Sequence, residues 1–192
     1  MSDVAAYEDF EEMVDRAEAL ARFYHAGQTR KDGTPYIEHP RAIVDLLKMV
    51  DPDIVYKPVI LAAAWLHDTL EDTGITPQQI IDNTSPRTLA IVKQVTNDPV
   101  KLRAMGKGDY IAQKVREIDD DALLIKLGDR YHNVSDLQTA DVDWALRYAG
   151  QTQLMLDALD DRPALPRPHR LLIEMIEEEV DEFLQRVEET GT

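Results

Sequence analysis

Residues 58–66 read PVILAAAWL, apolar at every position, and the run then breaks abruptly into His67-Asp68. A helix through such a stretch is apolar all round, so only a shell of other helices can bury it. Pro58 suits the opening turn, where a missing N–H costs nothing. The unbroken apolar run, 59–66, is far shorter than the roughly 20 residues a bilayer crossing requires. It marks the central helix of a soluble bundle rather than a membrane span.

The rest of the chain is punctuated for helices and carries almost no strand patterning. A first helix is expected over 7–25, with Phe10, Met13, Val14, Ala17, Leu20, Ala21 and Tyr24 at helical spacing and Gly27 as its stop. Turn formers fill 28–38, and Pro40 suits the start of a second helix over 40–49. Thr76-Pro77 with Gln79 has the form of a capping box, and Ser85-Pro86 opens another helix. Further helices are expected over 109–118, 122–137 and 144–159. Pro163, Pro166 and Pro168 mark 160–170 as a linker, and an amphipathic helix follows over about 168–189. Glu177, Glu178 and Glu179 on it read as a solvated face. The expected architecture is an all-α bundle of eight to nine helices, forming one domain over 1–192.

Composition narrows the function. The 192 residues suffice for one domain with a real core. With no cysteine there is neither a disulfide framework nor thiolate zinc ligation. The N-terminal MSDVAAYEDFEE lacks the basic start and apolar stretch of a signal peptide, so a cytoplasmic location is expected. Against 37 acidic residues stand 21 basic ones, a formal charge of −16. Such a field repels nucleic acid. It repels a phosphorylated small molecule too, so a site for one must bring its own cation or a cluster of Arg and Lys.

Three segments can do so: RKDGTPYIEHP at 30–40, LHDTLEDT at 66–73 and KLGDRYHN at 126–133. His67 and Asp68 stand where the apolar run stops, and an ionisable pair there is costly to desolvate unless paired or bound to metal. Adjacent helical residues point about 100° apart, so the two reach one ion only near the helix end. His39 sits at a loop-to-helix junction ahead of Pro40. Asp129 follows a buried stretch and begins a polar face with His132, Asn133 and Asp136. Two imidazoles and two carboxylates suit Mn, Fe or Zn better than Ca. Glu71 and Asp72, four residues beyond the His-Asp pair, are expected to stack on it along a continuing helix. Carboxylates so placed can orient water, whose pKa a divalent metal lowers from about 15.7 toward about 7. Arg30 and Lys31 offer a phosphate a bidentate fork and a mobile point charge. Of the other histidines, His25 is expected to cap the last carbonyls of the first helix. His132 is expected as an outer partner of the site or exposed, and His169 on the surface of the linker.

Together HAGQTRKDGTPYIEHP, AAAWLHDTLEDT and KLGDRYHNVSDL resemble the HD-domain superfamily. Within it the likeness is to the hydrolase domain of RelA/SpoT-type alarmone enzymes, above all the small stand-alone alarmone hydrolases. It covers roughly 21–137. The resemblance implies an HD-domain helical bundle that hydrolyses the 3′-pyrophosphate of (p)ppGpp to GDP or GTP plus pyrophosphate. It implies one Mn²⁺, or another divalent metal, held by His39, His67, Asp68 and Asp129. Glu71 and Asp72 would position water and shuttle protons. Arg30, Lys31 and Asn133 would bind the nucleotide, the partner being a small molecule, with homo-oligomerisation left open. Gly128 and Ser135 depart from the Ala and Arg more usual there, and no region resembles a synthetase domain. Two other readings fit fewer features: an HD-domain phosphohydrolase for another nucleotide, and a non-catalytic alarmone sensor. A sensor would be expected to have lost the ligands or Glu71-Asp72, and all are present.

Overall fold

The computed structural model describes residues 3–190, with side chains from residue 11 onward except that of Tyr56. The side chain of Phe10, counted above on the first helix, lies outside the described residues. Everything regular in the described chain is helical, apart from one isolated antiparallel bridge between Thr29 and Pro35. Setting aside the short segments α4 and α7, introduced below, nine α-helices remain, as the sequence pattern implied. No helix among the described residues is long and apolar enough to cross a membrane. The chain divides into two compact units, Met1–Asn97 and Asp98–Thr192.

The first unit is built around one helix, α3 (Pro58–Leu66). All of its residues except Val59 are buried, which is why it has no polar face. Its shell comprises α1 (Asp3–Tyr24), α2 (Glu38–Val50) and α6 (Pro86–Val95), each packed on α3. Removing a side chain such as Leu61 or Leu66 from water stabilises the fold by about 1.5–3 kcal/mol. Between α3 and α6 come α4 (Thr69–Asp72) and α5 (Pro77–Asn83). The capping box reads as expected: Thr76 Oγ1 accepts from the Gln79 N–H while the Gln79 side chain accepts from the Thr76 N–H. Ser85 caps α6 through the Thr88 N–H.

The first unit departs from expectation at the end of α3. The helix stops at Leu66, and Asp68 adopts φ −99°, ψ −5°, in the sparsely populated bridge region. The Thr69 hydroxyl donates to the Leu66 carbonyl at 2.7 Å, satisfying a group the break would leave bare. Glu71 and Asp72 therefore lie on a separate turn, α4, and not on a continuation of α3.

The second unit comprises α7 (Pro99–Met105), α8 (Lys107–Glu117), α9 (Asp120–Val134), α10 (Val142–Asp157) and α11 (Arg167–Thr190). The segment α7 was not anticipated. Aspartates open α7, α9 and α10: Asp98, Asp119 and Asp141 each accept a backbone N–H of the first turn. The helix α8 packs on α10, and a Cβ at Gly108 would meet only the tip of the exposed Leu154 side chain, which can move aside. Buried Arg130 covers one side of the Tyr148 ring at 4.5 Å and reaches Thr152 Oγ1 at 3.3 Å.

His169 is not a surface residue of the linker. It is 4% exposed, and its Nε2–H donates to the Asp120 carbonyl at 2.8 Å. Arg162 completes the clasp, donating to the carbonyls of Val115 and Ile118 at 2.7 Å each and to the Asp120 carboxylate. The proline-rich segment is thus tied to the end of α8 and the start of α9. Nδ1 of His169 is buried with no hydrogen-bond partner. Burial holds the imidazole below its ordinary pKa, outweighing the opposing pull of Asp120 and Asp121. The sign follows: the folded protein resists protonation that the unfolded chain accepts below about 6.5. This residue's contribution is flat above that pH and turns destabilising as pH falls. In His169→Gln, which keeps the donor without the titration, the loss of melting temperature from pH 7 to pH 5.5 should be smaller than in the parent. Parallel pH profiles for the two proteins would refute the assignment.

Candidate metal centre

The site begins at the break after α3. The Ala64 carbonyl lies 2.8 Å from His67 Nδ1 and can only accept, so this nitrogen carries the ring hydrogen. Nε2 then presents a lone pair, and Asp68 Oδ2 stands 2.9 Å from it. In the neutral ring neither atom has a hydrogen to give the other; in the protonated ring the two form an ion pair. His39, in the first turn of α2, is 3% exposed and brings its Nε2 to 3.3 Å from His67 Nε2 and 3.7 Å from Asp68 Oδ2. Three donor atoms from two helix ends therefore converge within 2.9–3.7 Å of one another. Ligands about 2.0–2.2 Å from one first-row cation are spaced by roughly 3.0–3.5 Å, so the set has the spacing of a metal site.

Ligation sets one condition on His39. Arg30 Nη1 lies 2.9 Å from its Nδ1 and can only donate, which places the ring hydrogen on Nε2. Metal binding through Nε2 needs that hydrogen on Nδ1, where this contact with Arg30 cannot persist. The donor set fits a divalent cation, with His39 changing tautomer.

The loop carrying Arg30 and Lys31 is closed by short hydrogen bonds of its own. The Arg30 N–H donates to the Thr34 carbonyl at 2.8 Å, and Gly33 turns the chain at φ +88°. Asp32 Oδ1 accepts the Thr34 N–H and hydroxyl, which hold its carboxyl below the usual range. Lys31 is exposed and Arg30 half-buried.

Sequence reasoning passed over Tyr36, which sits in the middle of the unit's polar end. Its hydroxyl donates to Asp68 Oδ2 and lies 3.4 Å from Asp72 Oδ2. His25 caps no carbonyl: it is buried, its ring 4.7 Å from that of Tyr36, and its Nδ1 faces Gln28 Oε1 at 2.7 Å. Gln28 in turn donates to the Asp72 carbonyl at 3.0 Å. Burial raises the Asp72 carboxyl above its ordinary pKa, and the charges of Asp68 and Glu71 add to the rise. Glu71 turns the other way, to Asn97. A tyrosine in a loop and an asparagine after a helix carry no pattern of their own, and only tertiary packing gives them partners.

In the second unit Asp129 is half-buried on α9. Lys126 Nζ donates to its Oδ2 and Asn133 Nδ2 to its Oδ1, each at 2.7 Å. Asn133, expected to bind nucleotide, thus holds a carboxylate of its own helix. Lys126, hidden in an apolar stretch, is a further charged neighbour that sequence reasoning did not single out.

The HD domain family matches residues 17–156. The chain is 33% identical over 153 residues to a probable GTP pyrophosphokinase of Mycobacterium leprae, covering 78% of this chain and 19% of that protein. It is 30% identical over 179 residues to a guanosine-3′,5′-bis(diphosphate) 3′-pyrophosphohydrolase of Aquifex aeolicus, covering 92% of this chain and 24% of the relative. The chain thus spans only about a fifth to a quarter of these relatives. Among solved structures, a metazoan ortholog of SpoT described as hydrolysing ppGpp aligns with a TM-score of 0.73. That alignment covers 86% of this chain and 94% of the other at 24% identity, a likeness of fold. With the family profile spanning most of its length, the chain belongs to the HD domain family.

Proposed function

We propose that this protein is a metal-dependent hydrolase of guanosine alarmones, releasing pyrophosphate from the 3′ position of (p)ppGpp and leaving GDP or GTP. The observation that carries the reading is the convergence of His39 Nε2, His67 Nε2 and Asp68 Oδ2 at ligand spacing. Likeness to alarmone enzymes over 78–92% of the chain supplies the substrate class.

In this reading the metal ligands are His39, His67, Asp68 and Asp129, the set that the likeness to alarmone hydrolases implies. The cation is Mn²⁺. When bound, it supplies Lewis-acid charge that stabilises the reacting phosphoryl group and acidifies water. The protein's own groups do the remainder. Tyr36 fixes the Asp68 carboxylate, and the Ala64 carbonyl fixes His67 in the tautomer that ligates. Glu71 takes a proton from the attacking water, and Asp72 helps return one to the ribose 3′ oxygen as its bond to phosphorus breaks. The water oxygen leaves on pyrophosphate. Arg30 and Lys31 neutralise the phosphates, and Asn133, which here orients Asp129, supports the nucleotide's end of the site.

Purified protein supplied with Mn²⁺ is expected to release pyrophosphate from ppGpp. Turnover of other nucleotides with none of ppGpp would keep the metal chemistry and replace the substrate. Asp68→Ala should lose both bound metal and activity; unchanged metal content would remove Asp68 from the ligand set. Glu71→Gln should keep its metal and turn over ~10²-fold or more slowly, the usual weight of a proton-transfer group. A fully active Glu71→Gln enzyme would assign that role elsewhere.

A further inference from the structure

Glu71 is the site carboxylate that its own helix orients least. It is exposed, and it sits on a segment of only four residues, Thr69–Asp72. A long side chain on such a turn keeps much rotamer freedom unless something outside the turn removes it. In the structure one residue does. The backbone N–H of Asn97 donates to Glu71 Oε2 at 3.0 Å, and Asn97 Nδ2 reaches Oε1 at 3.0 Å and Oε2 at 3.1 Å.

A carboxylate can only accept, so the Asn97 amide must turn its nitrogen toward Glu71. That orientation leaves Asn97 Oδ1 buried without a hydrogen-bond partner. An unmade hydrogen bond of this kind is unfavourable, and it persists where the other half of the group is needed. The anchor is firm. Asn97 follows the end of α6, where both the N–H and the hydroxyl of Thr96 return to the Val92 carbonyl, at 2.9 and 2.8 Å. The helix α6 packs on α3, and α3 ends in the His67-Asp68 pair. The distance from the metal ligands to the far side of Glu71 is therefore set by buried helix packing.

We propose that Asn97 is a positioning residue for the hydrolysis, holding the Glu71 carboxylate in the single orientation from which it handles the proton of the attacking water. The proposal rests on the reading of Glu71 given above. A carboxylate has about four lone-pair sites, and the three contacts with Asn97 leave room for a water.

Three variants test this. Asn97→Ala keeps the backbone donor and removes the amide; kcat should fall about tenfold, in the range that modest misplacement of a catalytic group costs. The KM for ppGpp and the bound manganese should stay within about twofold of the parent. Asn97→Asp, of the same shape, sets a carboxylate against a carboxylate and should lose more. In a Glu71→Gln background Asn97→Ala should cost little further, because coupled residues are not additive. Apart from activity, the Asn97 backbone amide proton should shift by NMR on Glu71→Gln, more than the amides beside it. An Asn97→Ser protein, read by the same assays, replaces either variant that fails to fold. Full activity of Asn97→Ala beside a crippled Glu71→Gln overturns the proposal alone. So does a faster Asn97→Ala, which would make the contact a restraint rather than an aid. If Glu71→Gln itself is fully active, the reading of Glu71 falls and takes this proposal with it.

Discussion

At the end of a buried helix, the lone pair of His67 Nε2 faces the carboxylate oxygen of Asp68 across 2.9 Å. In the neutral ring the Ala64 carbonyl keeps the hydrogen on the opposite nitrogen, so neither atom donates to the other. Two acceptors so placed need donors or positive charge around them, and the Nε2–H of His39, 3.3 Å from His67 Nε2, with the Tyr36 hydroxyl on Asp68, answers part of that need. The surrounding fold prevents the obvious escape. His67 is 3% exposed, and α3 behind it is locked by α1, α2 and α6, so the ring cannot swing out without opening the core. Tyr36 pins Asp68 from the other side. The polar end of the first unit thus holds several acceptor atoms close together, an arrangement suited to a cation.

Much of this was legible in the sequence, for definable reasons. The α3 run could be read because apolarity on every face has one structural solution. The starts of α5 and α6 could be read because Thr76-Pro77 and Ser85-Pro86 act within one turn. His39, His67 and Asp68 could be singled out because polar groups at buried helix ends need a reason. What escaped depends on contacts distant along the chain. His169 looked like a linker residue, and only the Asp120 carbonyl, 49 positions away, explains its burial. Glu71 was read onto a continuous helix, but Asp68 breaks the helix and turns Glu71 to Asn97, 26 positions on. Lys126 lay in an apolar run where its charge had no visible partner until α9 placed it one turn before Asp129.

The charge of −16 takes on a different meaning once its carriers are placed. Asp98, Asp119 and Asp141 sit at helix starts, where backbone N–H groups and the helix dipole favour an anion. Glu12 and Glu18 pair with Arg16 and Arg22 along α1, exposed pairs that contribute little either way. These acids serve the fold locally and leave a field at long range that opposes any phosphorylated ligand. Within each unit a basic side chain stands in direct contact with a proposed ligand, Arg30 against His39 and Lys126 on Asp129. Salt screens the long-range field over about 10 Å, whereas contacts at hydrogen-bond distance in a half-buried site are screened far less. Attraction therefore acts only on a ligand that has already reached the site.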